Sequence, residues 1–333
     1  MDKVLVTGAT GFIALHCIYY LLKRGYAVHG TVRSLDRKQE VLDAMLKQGL
    51  STDNLNLFEA DLLDDKNWDE AVAGCKYVLH VASPVIAGIP KDENDLIQPA
   101  IQGTVRVLEA SKNTGTVHKA VVTSSVAAVS HTLDGRTEFT DEDWSDITNP
   151  KISAYSKSKV LAERAAWDFV AKHSCFQLTT LHPAAVCGPM LSPDIGTSNI
   201  FVKRLIDGSI PGNPKLHMGF VDVRDVAKAH VDSLTNELSD GRRIILSNQE
   251  YWISEISAML RDCGYKAPKL QLPKFLMRII AFFDKEIAGV IHYIGLERNF
   301  VSTSAKDILN WDPIDVRESV KVTADQLKAM GEI

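Results

Sequence analysis

The beginning of the chain joins a short apolar strand to a helix through a turn that contains two glycines. The strand is predicted over residues 3–7 and the helix over 14–23. Gly8 allows a sharp turn, Gly11 allows the backbone to approach a pyrophosphate, and the small Ala14 allows the helix to pack on its strand. In this context the spacing G-x-x-G-x-x-A favours dinucleotide binding over a glycine turn that binds nothing.

Apolar strands and helical segments then alternate through the first half of the chain. Further strands are predicted at 26–32, 55–60, 76–82 and 119–125, and helices at 38–48, 68–73 and 96–111. This alternation predicts an α/β fold with a Rossmann-type, doubly wound parallel sheet. Ligands bind at the carboxyl ends of such strands. The predicted strand ends carry Gly8, Arg33, Asp61, Ser83 and Ser125.

The residue that ends the second strand indicates which nicotinamide cofactor is bound. An acidic residue there would bind the ribose 2′-hydroxyl of NAD, whereas Arg accommodates the 2′-phosphate of NADP. Arg33 therefore predicts NADPH or NADP+ and makes NADH less favoured, with Ser34, Arg37 and Lys38 near enough to assist. Two alternatives stay open, since Asp36 could bind the ribose and Arg33 could be an ordinary loop cation.

A possible proton donor lies at the start of a predicted helix, where Tyr155 and Lys159 are four residues apart and share one face. A phenol ionises only near pH ~10, and a neighbouring positive charge stabilises the phenolate. One solvated Lys contributes too little for this chemistry, so a second positive charge is required. The alternative is an ordinary surface Tyr beside a solvated Lys.

Ser125 ends the predicted strand 119–125, thirty residues before Tyr155. A hydroxyl there could hydrogen-bond to a substrate carbonyl oxygen beside the phenol and polarise it. Thr123 and Ser124 are competing candidates, and a hydroxyl at a strand end can simply cap the next helix. With Tyr155 downstream we favour Ser125.

From residue 190 the sequence is less regular, which is typical of a substrate lobe built on loops and short helices. We predict a dinucleotide-binding core over 1–189 with returning segments near 216–247, and a smaller C-terminal substrate lobe over most of 190–333, interleaved with the core. Segment 212–221 should return toward the sheet, and 242–246 should be a further strand of the main sheet. Helices are predicted at 195–208, 222–234, 254–262 and 276–293. Phe275, Phe282 and Phe283 could line an apolar substrate cavity or form lobe core.

Composition excludes several other classes of function. The net charge of −5 and the pI near 6.1 provide no basic field for nucleic acid. The most apolar late segment, 275–294, is interrupted by charged residues and does not predict a membrane span. Five scattered cysteines without metal-type spacing predict reduced thiols and no metal site. With no signal-peptide pattern at the N-terminus, we expect a cytoplasmic protein.

Segments throughout most of the chain match one known superfamily. They are 6–14, 30–33, 61–62, 80–84, 122–125, 155–159 and 220–227, with a weaker match at 241–247. Together they resemble an extended short-chain dehydrogenase/reductase, within its dihydroflavonol reductase, cinnamoyl-CoA reductase and aldehyde reductase branch. The combination is specific for the superfamily but not for a substrate. In many relatives two helices, here 96–111 and 155–171, form a dimer, and others are monomeric, so a monomer or a homodimer is expected.

The resemblance implies a role for each matching residue. Tyr155 would be the general acid, Lys159 would hold the nicotinamide ribose and stabilise the phenolate, and Ser125 would orient the carbonyl. The oxidised nicotinamide would supply the second positive charge. Other implied cofactor contacts are Gly8, Thr10, Gly11, Phe12 and Ile13 in the glycine loop, Asp61 and Leu62 at the adenine, and Val81, Ala82, Ser83, Thr123, Pro183 and Val186.

One position departs from the pattern of the superfamily. His182 stands where relatives commonly have Asn before Pro183. We expect His182 to be a polar group at a strand end that bonds to backbone.

These features favour an NADPH-dependent reductase that converts an aldehyde or ketone, with an aromatic or apolar substituent, to an alcohol. Its partner would be a small-molecule carbonyl or alcohol substrate. A hydroxysteroid dehydrogenase or a sugar-nucleotide epimerase or dehydratase could use the same residues, although Arg33 disfavours the epimerase. A non-catalytic NADP-sensing regulator is a further alternative, which the intact Ser125, Tyr155 and Lys159 disfavour.

Overall fold

A computed structural model describes residues 1–84, 90–132, 134–283, 288 and 291–333. Its main sheet has seven strands in the order β10-β7-β5-β4-β1-β2-β3, and each pair of neighbours is parallel. The strands are β1 (Lys3–Val6), β2 (Ala27–Val32), β3 (Leu55–Glu59), β4 (Tyr77–His80), β5 (Lys119–Thr123), β7 (Gln177–Pro183) and β10 (Arg242–Leu246). The predicted α/β, Rossmann-type fold is confirmed.

The central strands are continuously apolar because both faces of the sheet are covered. In β1, Val4 and Val6 belong to one core cluster and Leu5 to another, as the two-residue period of a strand requires. Residues of α1 (Phe12–Lys23), α2 (Lys38–Lys47) and α7 (Val223–Ser233) complete the first cluster. Residues of α3 (Trp68–Val72), α4 (Asn94–Thr114) and α5 (Ala154–His173) complete the second.

A second, three-stranded sheet lies after the main core. It pairs β9 (His217–Asp222) with β8 (Ala185–Cys187) in parallel and with β11 (Gln249–Trp252) in antiparallel orientation. The sequence predicts that segment 212–221 returns toward the main sheet. Its strand β9 forms its backbone hydrogen bonds with these two short strands and is not a strand of the main sheet. The predicted return of 242–246 is confirmed, since β10 pairs with β7 at the sheet edge.

Five further helices within the described residues follow the main core, and three of them pack around the small sheet. They are α6 (Thr197–Ile206), α8 (Ile253–Asp262), α9 (Lys274–Phe283), α10 (Thr303–Leu309) and α11 (Val316–Ala329). Residues of α6, α8 and α11 share one core cluster around Phe220. Two short strands, β6 (Glu138–Phe139) and β12 (Asn299–Phe300), pair in parallel and connect the loop before α5 to the C-terminal part of the chain.

Helix α9 begins close to the predicted start of the helix 276–293, whose later part includes positions outside the described residues. Phe282 is on this helix, Phe275 is 65% exposed, and the side chain of Phe283 is outside the described set. None of the described helices has the length and apolar character needed to cross a lipid bilayer.

Candidate active site

The glycine loop lies directly against the end of β4. Gly8 has a φ of +70°, and a Cβ on it would be 3.0 Å from the Cβ of Ala82, so this position requires glycine. Gly11 begins α1 without a side-chain cap, and the first turn of α1 carries no acidic residue. The first backbone N–H groups of the helix therefore keep their capacity to bind an anion, as a pyrophosphate site requires.

A buried histidine connects this loop to the β4 end. The Ala82 N–H donates to Thr7 Oγ1 at 2.9 Å, and the Thr7 hydroxyl is hydrogen-bonded to His80 Nδ1 at 3.0 Å. His80 Nε2 is hydrogen-bonded to Thr104 Oγ1 at 3.3 Å. Burial, assisted by the charge of Lys159, lowers the pKa of His80 to about 3, so the ring is neutral at physiological pH.

Arg33 follows β2 as an exposed cation. Within the described ranges no carboxylate or other side chain binds its guanidinium. By contrast, Arg37 is paired with Glu40, with Nη2 to Oε2 at 2.9 Å, and Asp36 Oδ2 accepts a hydrogen bond from Ser34 at 3.1 Å. Arg33 is therefore the cation at this strand end that is ready for a phosphate.

The next strand end holds Asp61 and Leu62. Asp61 Oδ1 accepts the Leu63 N–H at 2.9 Å, which fixes the turn after β3. Leu62 packs on α4, where a Cβ on Gly103 would be 2.9 Å from the Leu62 Cβ. Both residues are half-buried beside the carboxyl ends of the strands, as predicted from their positions in the sequence.

Hydroxyl groups at the end of β5 differ in whether their protons are already used. Thr123 donates to His230 Nε2 at 2.7 Å, because His230 Nδ1 is itself occupied by Val226 O. Ser124 donates to Glu163 Oε2 at 2.6 Å. Ser125 instead accepts from the Ala127 N–H at 3.1 Å, so its hydroxyl caps the turn and still has a proton to donate.

Tyr155 and Lys159 lie on one face of α5, which Ser153 caps by accepting the Ser156 N–H at 3.1 Å. The Tyr155 ring is at the surface, 40% exposed, and the Lys159 ammonium is 5.8 Å from the ring centroid. Lys159 is only 8% exposed and has no ion pair within the described part of the chain.

A second Tyr and Lys pair with the same spacing corresponds to the alternative interpretation, an ordinary surface Tyr beside a Lys. Tyr19 and Lys23 are four residues apart on α1, with Nζ 3.4 Å from the phenol oxygen. Neither residue is close to a described strand end that carries a predicted site residue, because both lie in the later turns of α1. The four-residue spacing alone is therefore insufficient to identify a catalytic pair. The pair on α5 is distinguished by its position beside the ends of β4 and β5.

The structure brings several predicted residues into one narrow cavity between β4, β5 and α5. Its lining includes Ala82, Ser83, Thr123 and Lys159 together with His80 and Glu163. Thr10, Phe12 and Ile13 are at the start of α1, and Val81 is in the loop after β4. Pro183 ends β7, and the Val186 N–H in β8 donates to Ser198 Oγ at 3.1 Å.

Sequence analysis missed the buried carboxylate of Glu163. This residue accepts hydrogen bonds from Thr180 on β7, from Arg243 on β10 at 2.7 Å and from the Ser124 hydroxyl. His182 Nε2 also donates to Glu163, at 2.8 Å. The expectation that His182 bonds to backbone is therefore wrong, because a buried carboxylate is within its reach.

The role of Glu163 could have been predicted from the sequence, because residues four apart share one face of a helix. Glu163 follows Lys159 by four residues and Tyr155 by eight, so all three share a face of α5. Along this face the exposed fraction falls from 40% at Tyr155 to 8% at Lys159 and 2% at Glu163. A carboxylate at the buried end of such a face requires charged or polar partners.

The partners of Glu163 keep it ionised. Burial alone would raise the pKa of Glu163, but His182 and Arg243 outweigh burial and hold the pKa well below its ordinary range. Arg243 also donates to the backbone oxygens of Asp141 and Asp143 at 2.7 and 2.6 Å and stacks on Trp144. Glu163 thus connects the active-site helix, two core strands and the loop before α5.

The fold and this strand-end geometry define a nucleotide-binding enzyme of the Rossmann type. The model of the NAD dependent epimerase/dehydratase family matches residues 4–246. The chain belongs to this family, and the prediction of an oxidoreductase of the extended short-chain dehydrogenase/reductase type is confirmed.

Relatives support this assignment along the whole chain. The chain is 35% identical over 333 residues to cinnamoyl-CoA reductase CAD2 of Medicago truncatula, covering 98% of this chain and 96% of that protein. It is 37% identical over 254 residues to an anthocyanidin reductase of Vitis vinifera, covering 72% and 74%. The crystal structure of yeast methylglyoxal/isovaleraldehyde reductase Gre2 complexed with NADPH is similar, with a TM-score of 0.82, 28% identity and coverage of 99% and 100%.

The Glu163 network generates a prediction about stability. Glu163→Gln should reduce the free energy of unfolding by roughly 3–5 kcal/mol, because it leaves the largely buried Arg243, whose side chain is 12% exposed, without its carboxylate. Chemical denaturation at pH 7 measures this loss. The control is Glu109→Gln, which removes an exposed ion pair with Lys112 and should cost less than ~1 kcal/mol. Equal losses in the two variants would contradict a stabilising role for Glu163.

The same network predicts how stability depends on pH. Since the folded pKa of Glu163 is below the unfolded value of ~4.3, its stabilisation is complete above that pH and declines as the pH falls towards the folded pKa. Melting temperatures of the wild type should therefore decline more steeply between pH ~5 and ~3 than those of Glu163→Gln.

Proposed function

We propose that this protein is an NADPH-dependent carbonyl reductase that converts an aldehyde or ketone to an alcohol. The observation that carries the proposal is the set of unused polar groups beside one strand end. Ser125 has a free proton, Lys159 has no ion pair among the described residues, and the Tyr155 phenol is exposed beside it. The named activities of the relatives, cinnamoyl-CoA reductase and anthocyanidin reductase, support the reaction class.

Each residue would have a distinct role in this reaction. Ser125 donates a hydrogen bond to the carbonyl oxygen and polarises it, and Tyr155 protonates the oxygen as negative charge develops. Lys159 holds the nicotinamide ribose and stabilises the phenolate that remains. The bound cofactor supplies the hydride and, once oxidised, a second positive charge near Tyr155.

The cofactor site fits a phosphorylated dinucleotide. Gly8 has a positive φ and packs against Ala82 at a distance that leaves no room for a Cβ, and the N-terminus of α1 is uncapped by any described side chain. The unpaired Arg33 is suited to the 2′-phosphate. The NADPH bound in the yeast reductase supports the same choice of cofactor. Thr10, Phe12, Ile13, Asp61, Leu62, Val81, Ala82, Ser83, Thr123, Pro183 and Val186 would complete the site.

The proposal is tested by following the absorbance of reduced cofactor with a panel of carbonyl compounds. We expect turnover with NADPH and at least one aromatic or aliphatic aldehyde, diketone or dihydroflavonol. A hydroxysteroid or a sugar nucleotide, assayed in parallel, tests the alternative enzymes. If NADPH binds but no compound is converted, the protein would be a nucleotide sensor instead.

Tyr155→Phe should reduce kcat by at least about 10²-fold while NADPH still binds, because the variant lacks the proton donor and keeps the ring. Steady-state kinetics and a fluorescence titration of NADPH measure the two effects. The matched control is Tyr19→Phe, which changes the second Tyr and Lys pair and should keep wild-type kinetics. Wild-type turnover by Tyr155→Phe would remove this residue from the mechanism.

Arg33→Ala should weaken NADPH binding by roughly 10–100-fold, since it removes a charge-assisted contact with the 2′-phosphate, and leave NADH binding nearly unchanged. Titration with both nucleotides measures the selectivity. Arg37→Ala is the control, because Arg37 is already paired with Glu40. Equal losses for the two nucleotides in Arg33→Ala would show that the proposed phosphate contact is wrong.

A further inference from the structure

A cavity of about 560 Å³ lies between the start of the active-site segment and helix α9. Its described lining consists of Lys151, Lys274, Arg278, Ala281, Phe282, Ile291 and His292. Three of these side chains carry permanent positive charge, and none of the described lining residues is a carboxylate. The cavity thus combines apolar walls with a cluster of cations.

Among the described residues, no carboxylate pairs with these positive charges. Lys151, Lys274 and Arg278 are exposed, and none of them is in an ion pair within the part of the chain that the structure describes. They come from two separate segments of the chain. Like charges repel each other at a shared cavity, and an anionic ligand would remove this repulsion.

A largely buried cation, six residues after the lining residue His292, provides a second observation. Arg298 stacks on the Tyr293 ring at 4.7 Å, and its Nη1 donates to His131 Nε2 at 3.1 Å. Arg298 Nε and the Tyr293 hydroxyl are both buried without a hydrogen-bond partner among the described residues. Tyr293 directly follows His292, which lines the cavity. A buried guanidinium without a carboxylate is a group that an anion would complete.

The neighbours of Arg298 cannot take the place of that anion. Burial, together with the charge of Arg298, lowers the pKa of His131 to about 3, so the ring is neutral and only accepts a hydrogen bond from the guanidinium. The Tyr293 ring offers its face, which attracts a cation without neutralising it.

The cavity borders the segment that leads into the active-site helix. Its lining residue Lys151 precedes Tyr155 by four residues, so their Cα atoms are at most ~14 Å apart. His131, which binds Arg298, also donates from Nδ1 to Ala127 O at 3.1 Å, and the Ala127 N–H donates to Ser125 Oγ.

We propose that the substrate is a carbonyl compound with a negatively charged group, a carboxylate or a phosphate, on an apolar chain or ring. Lys151, Lys274 and Arg278 bind the anionic group, and Phe282 and Ile291 contact the apolar part. The carbonyl then lies at Ser125 and Tyr155. This inference rests on the proposed reductase function and specifies its substrate class.

Matched substrates test the inference directly. The kcat/KM of the NADPH-loaded enzyme is measured with 4-formylbenzoate, with its neutral methyl ester and with 4-formylphenyl phosphate. We expect at least one of the two anions to exceed the ester by about tenfold or more, the effect of one charge-assisted contact. The phosphate and carboxylate arms show which anion the site prefers.

Arg278→Gln removes one cavity charge from an exposed position of α9, where loss of folding is not expected. It should lower kcat/KM for the preferred anion by about tenfold and change that for the ester by less than about twofold. Lys47→Gln is the matched control. It removes the same charge from the exposed last turn of α2, distant in sequence from the cavity, and should leave both values unchanged.

Each other outcome overturns the inference. If the ester is converted as well as both anions, the reductase function stands and the anionic substrate class is wrong. If Lys47→Gln and Arg278→Gln lower the rate with the anion equally, overall charge rather than the cavity is responsible. If NADPH binds but no carbonyl compound is converted, the reductase function itself is rejected and the substrate class with it.

Discussion

The carboxylate of Glu163 is the interaction on which the arrangement of the site depends. A buried charge is stable only if several groups share it, and here the donors come from Ser124 directly after β5, from β7 and from β10. Helix α5 therefore has one position relative to the sheet in which this carboxylate is satisfied. The same helix carries Tyr155 and Lys159, so the position of the proposed acid and its cation is determined at the buried end of the helix.

The Glu163 network also determines which hydroxyl is available. The Ser124 hydroxyl donates its hydrogen bond to the buried carboxylate, and the Thr123 hydroxyl donates to His230 on α7. The next residue, Ser125, then leaves the strand and caps a turn, with its own proton unused. Three consecutive hydroxyl side chains thus have different roles, because the polar groups behind the sheet occupy two of them.

The parallel, doubly wound arrangement of the main sheet could be predicted from the sequence, because alternating strands and helices with right-handed crossovers permit few arrangements. The strand-end residues were predictable for the same reason. The small sheet was not, since the pairing of β8, β9 and β11 depends on contacts between distant, short segments with no clear period. The Glu163 network required knowledge of which helix face is buried. Helix α11 was overlooked although Val316, Val320, Ala324 and Leu327 repeat at the helical period.

The electrostatic environment explains why Lys159 keeps an unshared charge. Glu163 is one helical turn away, yet its negative charge is matched by Arg243 on β10. His80 also borders Lys159, but burial keeps this ring neutral, so it adds no competing cation. The ammonium of Lys159 is thus neither neutralised by the buried acid nor repelled by a protonated histidine. Its field acts on the Tyr155 phenol and on the space where the nicotinamide ribose would bind.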